Sequence, residues 1–167
     1  SDVYKRQTNE RVFQQDAVRL LRAVRFVATL GLSVEPQTES WMRRDAALIT
    51  QPAAERIRQE LALIVAAPGA AGHLRYMDDL GLMHGVIPEV SALRGIQHPD
   101  LLGDAYEHTL ATVAEVERLM AFAESQLGPE EAQFLGPFAA DLLTYFNEII
   151  CEKRTRYTLL KFSAMLH

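Results

Sequence analysis

The chain has 167 residues, with 17 Lys and Arg side chains against 22 Asp and Glu, and a formal net charge of −5. With 49% hydrophobic and 23% charged residues, it has the composition of a globular protein and not of a disordered or collagen-like chain. The longest apolar run, residues 61–67, is far shorter than the ~20 residues that span a bilayer, so no membrane partner is expected. The single cysteine, Cys151, excludes an internal disulfide and favours a reducing, cytoplasmic compartment.

The charge is unevenly distributed along the chain. Residues 1–60 hold 10 basic and 8 acidic side chains, whereas residues 61–167 hold 7 and 14, so the two portions have net charges of +2 and −7. The acidic total argues against a protein that coats nucleic acid through bulk charge. It leaves room for a local basic face in the first third of the chain.

The first seven residues have a different expected origin from the rest. Residues 2–7 look like the translation of a transposon end that is used to prepare sequencing libraries. We therefore predict that residues 1–7 are an adapter artefact, that the gene's own sequence begins near Thr8, and that the chain is a fragment of a longer protein. A segment of this origin is expected to pack against nothing.

Apolar residues with helical spacing predict helices along most of the chain. Residues 16–30 form the clearest helix, with Asp16 as the expected N-cap and Gly31 as its left-handed end. Other helices are predicted over residues 36–49, 53–66, 71–80, 105–124 and 153–167, with a broken helical segment before residue 150. No run of β-branched residues alternates with period two, so sheet is not expected and the fold class is all-α, a bundle of short helices.

A boundary between two parts is predicted near the middle of the chain. Residues 91–104 contain Gly95, Pro99 and Gly103, which are residues that interrupt helices. We therefore divide the chain into a first part (8–92), a linker (93–103) and a second part (104–167).

One face of the helix over residues 16–30 is polar. Asp16, Arg19 and Arg22 are spaced three residues apart, so they lie on the helix face opposite the apolar stripe. A carboxylate one turn from a guanidinium offers fixed acceptors beside fixed donors, which are the groups that read the edge of a nucleobase. The same spacing also describes an ordinary solvated surface, and the residues by themselves leave both interpretations open.

Two arginines on the predicted helix over residues 53–66 have acidic neighbours at helical spacing. Arg56 and Arg58 are expected to pair with Glu55 or Glu60. Such pairs stabilise the surface of a helix, so a structural role in the bundle is the expectation for both arginines.

The sequence around these polar residues resembles a motif of a known family. Gln-Asp-Ala-Val-Arg at residues 15–19, followed by Leu-Leu-Arg-Ala-Val-Arg-Phe, is similar to the Glu-Asp-x-x-Arg element of bacterial tRNA nucleotidyltransferases (CCA-adding enzymes) and poly(A) polymerases. Residues 54–61 resemble that family's next helix, and residues 79–83 and 87–89 match its Leu-Gly-Leu-Leu and Pro-Glu elements. In this family these helices form the neck and the RNA-binding body behind a catalytic head. The resemblance therefore assigns residues 8–92 to the neck and body.

The resemblance also implies roles for particular side chains. Asp16 and Arg19 would select the incoming ATP or CTP through hydrogen bonds to its base. The family's Glu is Gln15 in this chain, a change that keeps an acceptor and removes a charge. Arg22 and Arg25 are candidates for contact with the triphosphate or with the RNA backbone.

The second part resembles an HD domain, which many tRNA nucleotidyltransferases have directly after the body. His108 lies near the start of the predicted long helix, and His167 ends the chain. By this resemblance the two histidines are ligands of a divalent metal ion that activates water for phosphoester hydrolysis, and residues 104–167 are a truncated HD domain with an incomplete site. Without the resemblance, each would be interpreted as an ordinary structural histidine.

Two elements of the catalytic head do not occur in the sequence, namely a Gly-Ser phosphate loop and an Asp-x-Asp pair for Mg²⁺. We therefore expect a fragment that is inactive alone, from an enzyme that adds nucleotides to RNA 3′ ends. Its expected partners are RNA, with the tRNA 3′ end foremost, and the nucleoside triphosphates ATP and CTP. Two alternatives remain: a metal-dependent HD phosphohydrolase with a helical regulatory region, and a helical scaffold without enzymatic activity.

Overall fold

A computed structural model of the chain describes residues 4–5, 9–97, 103–124, 138–151 and 154–166. The fold is all-α, as predicted. Its helices are α1 (Val12–Gln15), α2 (Val18–Leu30), α3 (Pro36–Asp45), α4 (Ala54–Ala66), α5 (Ala70–Asp79), α6 (Met83–Val86), α7 (Pro88–Ser91), α8 (Ala105–Ala123), α9 (Ala139–Phe146) and α10 (Arg156–Met165). The segment Ala46–Thr50 after α3 is a 3₁₀ helix, so the helix predicted over residues 36–49 is divided in two.

The ends of α2 show which local signals the sequence encodes. The helix ends at Gly31, whose φ of 62° is left-handed and whose N–H donates to the carbonyl of Val27, as predicted. The prediction that Asp16 caps the start is wrong. Ala17 occupies the N-cap position of α2, and Asp16 is an extended residue that ends α1. Its carboxylate reaches across to Arg56 on α4, and the backbone N–H of Val18 also lies close to it.

The hydrophobic core is continuous between the two parts of the chain. One cluster of buried side chains includes Phe13 and Leu20 near the start, Ile64 on α4, and Tyr106 and Met165 on α8 and α10. Helices α8 and α10 pack on each other and on α4 and α5. The division into residues 8–92, 93–103 and 104–167 stays a prediction, but the helices on either side of the linker share one core.

Two short ladders correct the expectation that the chain contains no sheet. Strand β1 (Tyr4–Lys5) pairs in parallel with β2 (Ser33–Val34), and β3 (Ile149–Cys151) pairs antiparallel with β4 (Arg154–Thr155). The expectation that residues 1–7 pack against nothing is therefore wrong for the backbone of the two β1 residues, and the rest of that segment lies outside the described residues. In the part of the chain that the structure describes, no helix is both long and apolar enough to cross a membrane.

Candidate functional site

The candidate site lies where α2 packs alongside α4. The inner sides of both helices are apolar and join the core, while charged side chains line the edge of the contact between them. Because the two helices pack together, a charge on one finds its partner on the other. The ion pairs of this edge therefore join residues that are far apart in the sequence.

Asp16 is held by an arginine of α4. Arg56 Nη2 donates to Asp16 Oδ2 over 2.8 Å, and the two side chains are 47% and 25% exposed. This hydrogen bond, with the charge of Arg56 and the nearby backbone N–H of Val18, holds the pKa of Asp16 below its ordinary value despite partial burial. Asp16 is consequently an ionised acceptor near neutral pH. The expectation that Arg56 pairs with Glu55 or Glu60 is wrong, whereas the expected pair of Arg58 with Glu55 is confirmed at 2.7 Å.

Arg19 lies one helical turn beyond Asp16. Its backbone N–H donates to the carbonyl of Asp16 over 3.1 Å, which places the two residues at the same end of α2. The side chain of Arg19 is exposed and its charge helps to lower the pKa of Asp16, but its guanidinium makes no hydrogen bond with the described residues. Gln15, the last residue of α1, is also exposed. The structure thus places a fixed acceptor, Asp16, beside a donor group that is available to a ligand.

Arg22 and Arg25 are both fixed by one carboxylate. Glu60, a buried residue of α4, accepts from Arg22 Nε over 3.2 Å and from Arg25 Nε over 2.7 Å. The Arg25 guanidinium also lies over the Phe26 ring, 4.6 Å from its centroid. The terminal Nη atoms of both arginines have no hydrogen-bond partner among the described residues. Glu60 therefore orients two guanidinium groups and leaves their outer donors available.

Sequence reasoning missed the role of Glu60, although a signal for it exists. Glu60 stands three residues after Ile57 and four before Ile64, so it lies on the apolar face of α4. A carboxylate on that face is desolvated, and a desolvated charge needs partners from a facing element. The two arginines on α2 are those partners.

The second predicted site is only partly described. His108 lies in α8, whose first turn is capped by Asp104, which accepts from the N–H of Glu107 over 2.9 Å and from that of Gly95 over 2.7 Å. His167 lies outside the described residues. Within the described ranges, no group of three His, Cys, Asp or Glu side chains could hold a metal ion. The metal site predicted at His108 and His167 therefore stays a prediction.

Comparison with known families finds a match that covers α3 to α7, including α4, and that begins directly after the last residue of α2. Residues 31–93 match the family described as "Probable RNA and SrmB- binding site of polymerase A". A CC-adding tRNA nucleotidyltransferase of Thermus thermophilus is 36% identical over 105 residues, which are 59% of this chain and 24% of that protein. An A-adding tRNA nucleotidyltransferase of Deinococcus radiodurans is 35% identical over 109 residues, or 62% of this chain and 25% of that protein.

Solved structures show the same fold. A CCA-adding enzyme of Thermotoga maritima, complexed with tRNA, superposes with a TM-score of 0.57 over 98% of this chain and 48% of that chain, at 16% identity. The chain spans about a quarter of the length of the two tRNA nucleotidyltransferases named above. The comparisons confirm the predicted resemblance to the bacterial tRNA nucleotidyltransferases. They do not reveal an HD domain.

Proposed function

We propose that this chain is the neck and RNA-binding segment of a tRNA nucleotidyltransferase, and that its α2–α4 edge selects the incoming nucleotide. One observation supports this most directly: Asp16 is held ionised by Arg56 and lies one helical turn from Arg19, whose exposed guanidinium makes no hydrogen bond with the described residues. The relatives named above add C or A residues to tRNA, and the whole protein's activity is proposed from them. Gln15 lies beside the pair and offers a neutral acceptor.

The chemistry of the pair explains a choice of ATP and CTP. A carboxylate only accepts hydrogen bonds and a guanidinium only donates them. Adenine and cytosine each present an exocyclic amino donor next to a ring nitrogen acceptor on the edge that pairs with other bases. Asp16 would accept from the amino group while Arg19 donates to the ring nitrogen. Guanine and uracil present the opposite order of groups on that edge, so both contacts would be lost.

Arg22 and Arg25 are proposed to bind the triphosphate or the RNA backbone. Glu60 uses the Nε atom of each arginine, and the outer Nη atoms stay available for phosphate oxygens. A guanidinium that is already oriented loses less side-chain entropy on binding than a free one. The two arginines follow Arg19 along α2, so the base and the phosphates would bind along one helix.

The remaining parts of the activity are proposed to lie elsewhere in the parent protein. The family uses divalent metal ions, Mg²⁺ in our proposal, and nucleoside triphosphates, and no group of three described His, Cys, Asp or Glu side chains could hold such an ion. Because the sequence contains neither a Gly-Ser phosphate loop nor an Asp-x-Asp pair, this segment is proposed to be inactive in transfer by itself. An HD-domain role for His108 and His167, and a cytoplasmic location, are likewise proposals.

RNA binding by the chain itself tests the proposal. Fluorescence anisotropy with labelled tRNA is expected to show binding that weakens as salt increases, because phosphate contacts release counterions. Arg22→Gln should lower the slope of log affinity against log salt by about 0.7–1, which corresponds to one phosphate contact. Arg118→Gln, on the acidic helix α8, is the matched control and should leave the slope unchanged. Equal slopes in the two variants would contradict the proposed contact.

A further inference from the structure

A buried lysine lies where the last helix meets the RNA-binding segment. The side chain of Lys161, on α10, is 1% exposed, and its Nζ donates to Glu117 Oε1 over 2.6 Å and to the carbonyl of Ala67 over 3.1 Å. Nζ also lies 4.6 Å from the centroid of the Tyr157 ring. An ammonium group in such a place is costly unless it is paired and hydrogen-bonded. Each contact of Lys161 therefore counts toward holding α10 in position.

Glu117 makes a second contact that extends the pair to the next helix. Its Oε1 accepts from the backbone N–H of Ala70 over 3.2 Å. Ala70 is the first residue of α5, and Ala67 follows the last residue of α4. The first N–H groups and the last carbonyls of helices lack partners inside the helix. Lys161 and Glu117 satisfy one group of each kind at the corner between α4 and α5.

The signs of the two charges match the ends of the helices that they touch. The carbonyl end of a helix attracts a cation and the N–H end attracts an anion, because the peptide dipoles are aligned. Lys161 lies at the carbonyl end of α4, and Glu117 lies at the N–H end of α5. The two side chains thus attract each other, and each also interacts favourably with the dipole of the helix end that it contacts.

We propose that Lys161 and Glu117 form a charge clamp that fixes α8 and α10 on the α4–α5 corner of the segment that matches the RNA-binding family. Because α4 also bears Arg56 and Glu60, the clamp holds the helix that orients the candidate site. Residues 31–93, which match the RNA-binding family, then form one rigid unit with α8 and α10. This inference rests on the described contacts and does not depend on nucleotide selection.

The two members of the clamp differ in burial, and this predicts unequal mutational effects. Both side chains line an open cleft of about 410 Å³, but Glu117 is 17% exposed there and Lys161 only 1%. Glu117→Leu leaves a buried ammonium without a counter-charge, with the Ala67 carbonyl as its remaining hydrogen-bond acceptor among the described residues, while Lys161→Met leaves a carboxylate that is more accessible to water. We therefore expect Glu117→Leu to loosen the corner more than Lys161→Met does.

Amide hydrogen exchange of Ala70 in the full chain is the direct test, because this N–H has Glu117 as its hydrogen-bond acceptor. We expect its exchange to accelerate at least tenfold in Glu117→Leu, and less in Lys161→Met. Glu115→Leu is the control: its carboxylate lies on the same helix, is 59% exposed and pairs only with Arg118 among the described residues, so Ala70 exchange should stay as in the original chain. Unchanged Ala70 exchange in Glu117→Leu would overturn the clamp.

The double variant keeps the proposal testable if Glu117→Leu fails to fold. An apolar pair of similar volume replaces a buried ion pair with little loss, so Glu117→Leu with Lys161→Met should recover cooperative unfolding and helix content. Such recovery would show that the damage came from the unpaired ammonium. A double variant that is no more stable than Glu117→Leu would contradict the coupling of the two side chains.

Discussion

The link between α2 and α4 is most directly tested by replacing Glu60 with Gln. This change keeps the size of the side chain and removes the charge that Arg22 and Arg25 share. A neutral amide offers one carbonyl oxygen in place of two charged ones, so one arginine loses its acceptor and the other keeps a weaker bond. The expected result is a loss of stability without a change of fold.

The magnitude follows from the exposure of the three side chains. Removing one member of a fully buried ion pair costs about 3–5 kcal/mol, whereas an exposed pair contributes less than about 1 kcal/mol. Here the carboxylate is 12% exposed, but Arg22 and Arg25 are 43% and 23% exposed, so water solvates the arginines when the charge is removed. We expect a loss of about 1–2 kcal/mol, which is roughly 2–8 °C in the melting temperature of a chain of this size.

Urea unfolding monitored by circular dichroism measures this loss. Glu55→Gln is the matched control, because Glu55 is on the same helix and pairs with Arg58, but both side chains are more than half exposed. The control should unfold at the same urea concentration as the original chain. If Glu60→Gln and Glu55→Gln were equally stable, the assignment of Glu60 as the shared partner of two arginines would be refuted.

Two further predictions concern glycines and tyrosines. Gly72→Ala should stabilise the chain by about 0.5–1 kcal/mol, since Gly72 lies inside α5 and nothing lies within 4 Å of an added Cβ. Gly85→Ala should destabilise the chain, because its Cβ would come 2.5 Å from Ile49 Cγ2. The two substitutions should therefore shift the melting temperature in opposite directions. Burial raises the pKa of Tyr76 and of Tyr157 to about 12. The folded state therefore favours their neutral forms, so the stability that the two tyrosines contribute is complete below pH 10 and declines as the pH rises toward 12. In an absorbance titration, each Tyr→Phe variant should lack one of the late transitions. Titration of both tyrosines at the ordinary pH would contradict this prediction.

The sequence predicts most helices because their signals are local. The stripe of Leu20, Leu21 and Val24, with Gly31 after it, contains the period and the ending of α2 within a single stretch of chain. The strands Ile149–Cys151 and Arg154–Thr155 are too short for any period to be detected, and they pair through backbone groups. The second predicted helix divides after Asp45, where the sequence has no Gly or Pro that would have signalled the change to a 3₁₀ helix.

The partners of charged residues could not be predicted in the same way. Arg56 has acidic neighbours on its own helix, yet it pairs with Asp16, which is 40 positions away. Helical spacing identifies which residues share a face, but the choice of partner depends on which helix lies opposite. The family resemblance singled out Asp16 and Arg19 as a pair, and the structure adds that α4 supplies the groups that hold their surroundings in place.

Base discrimination in the proposed full-length enzyme tests the central claim most directly. Single-turnover incorporation of each of the four nucleotides would be compared for the original enzyme and for Arg19→Ala. Charge-assisted hydrogen bonds contribute about 1–3 kcal/mol, so discrimination in favour of ATP and CTP should fall by roughly 5- to 150-fold while RNA binding changes little. Unchanged discrimination in Arg19→Ala would contradict the claim that the α2–α4 edge selects the base.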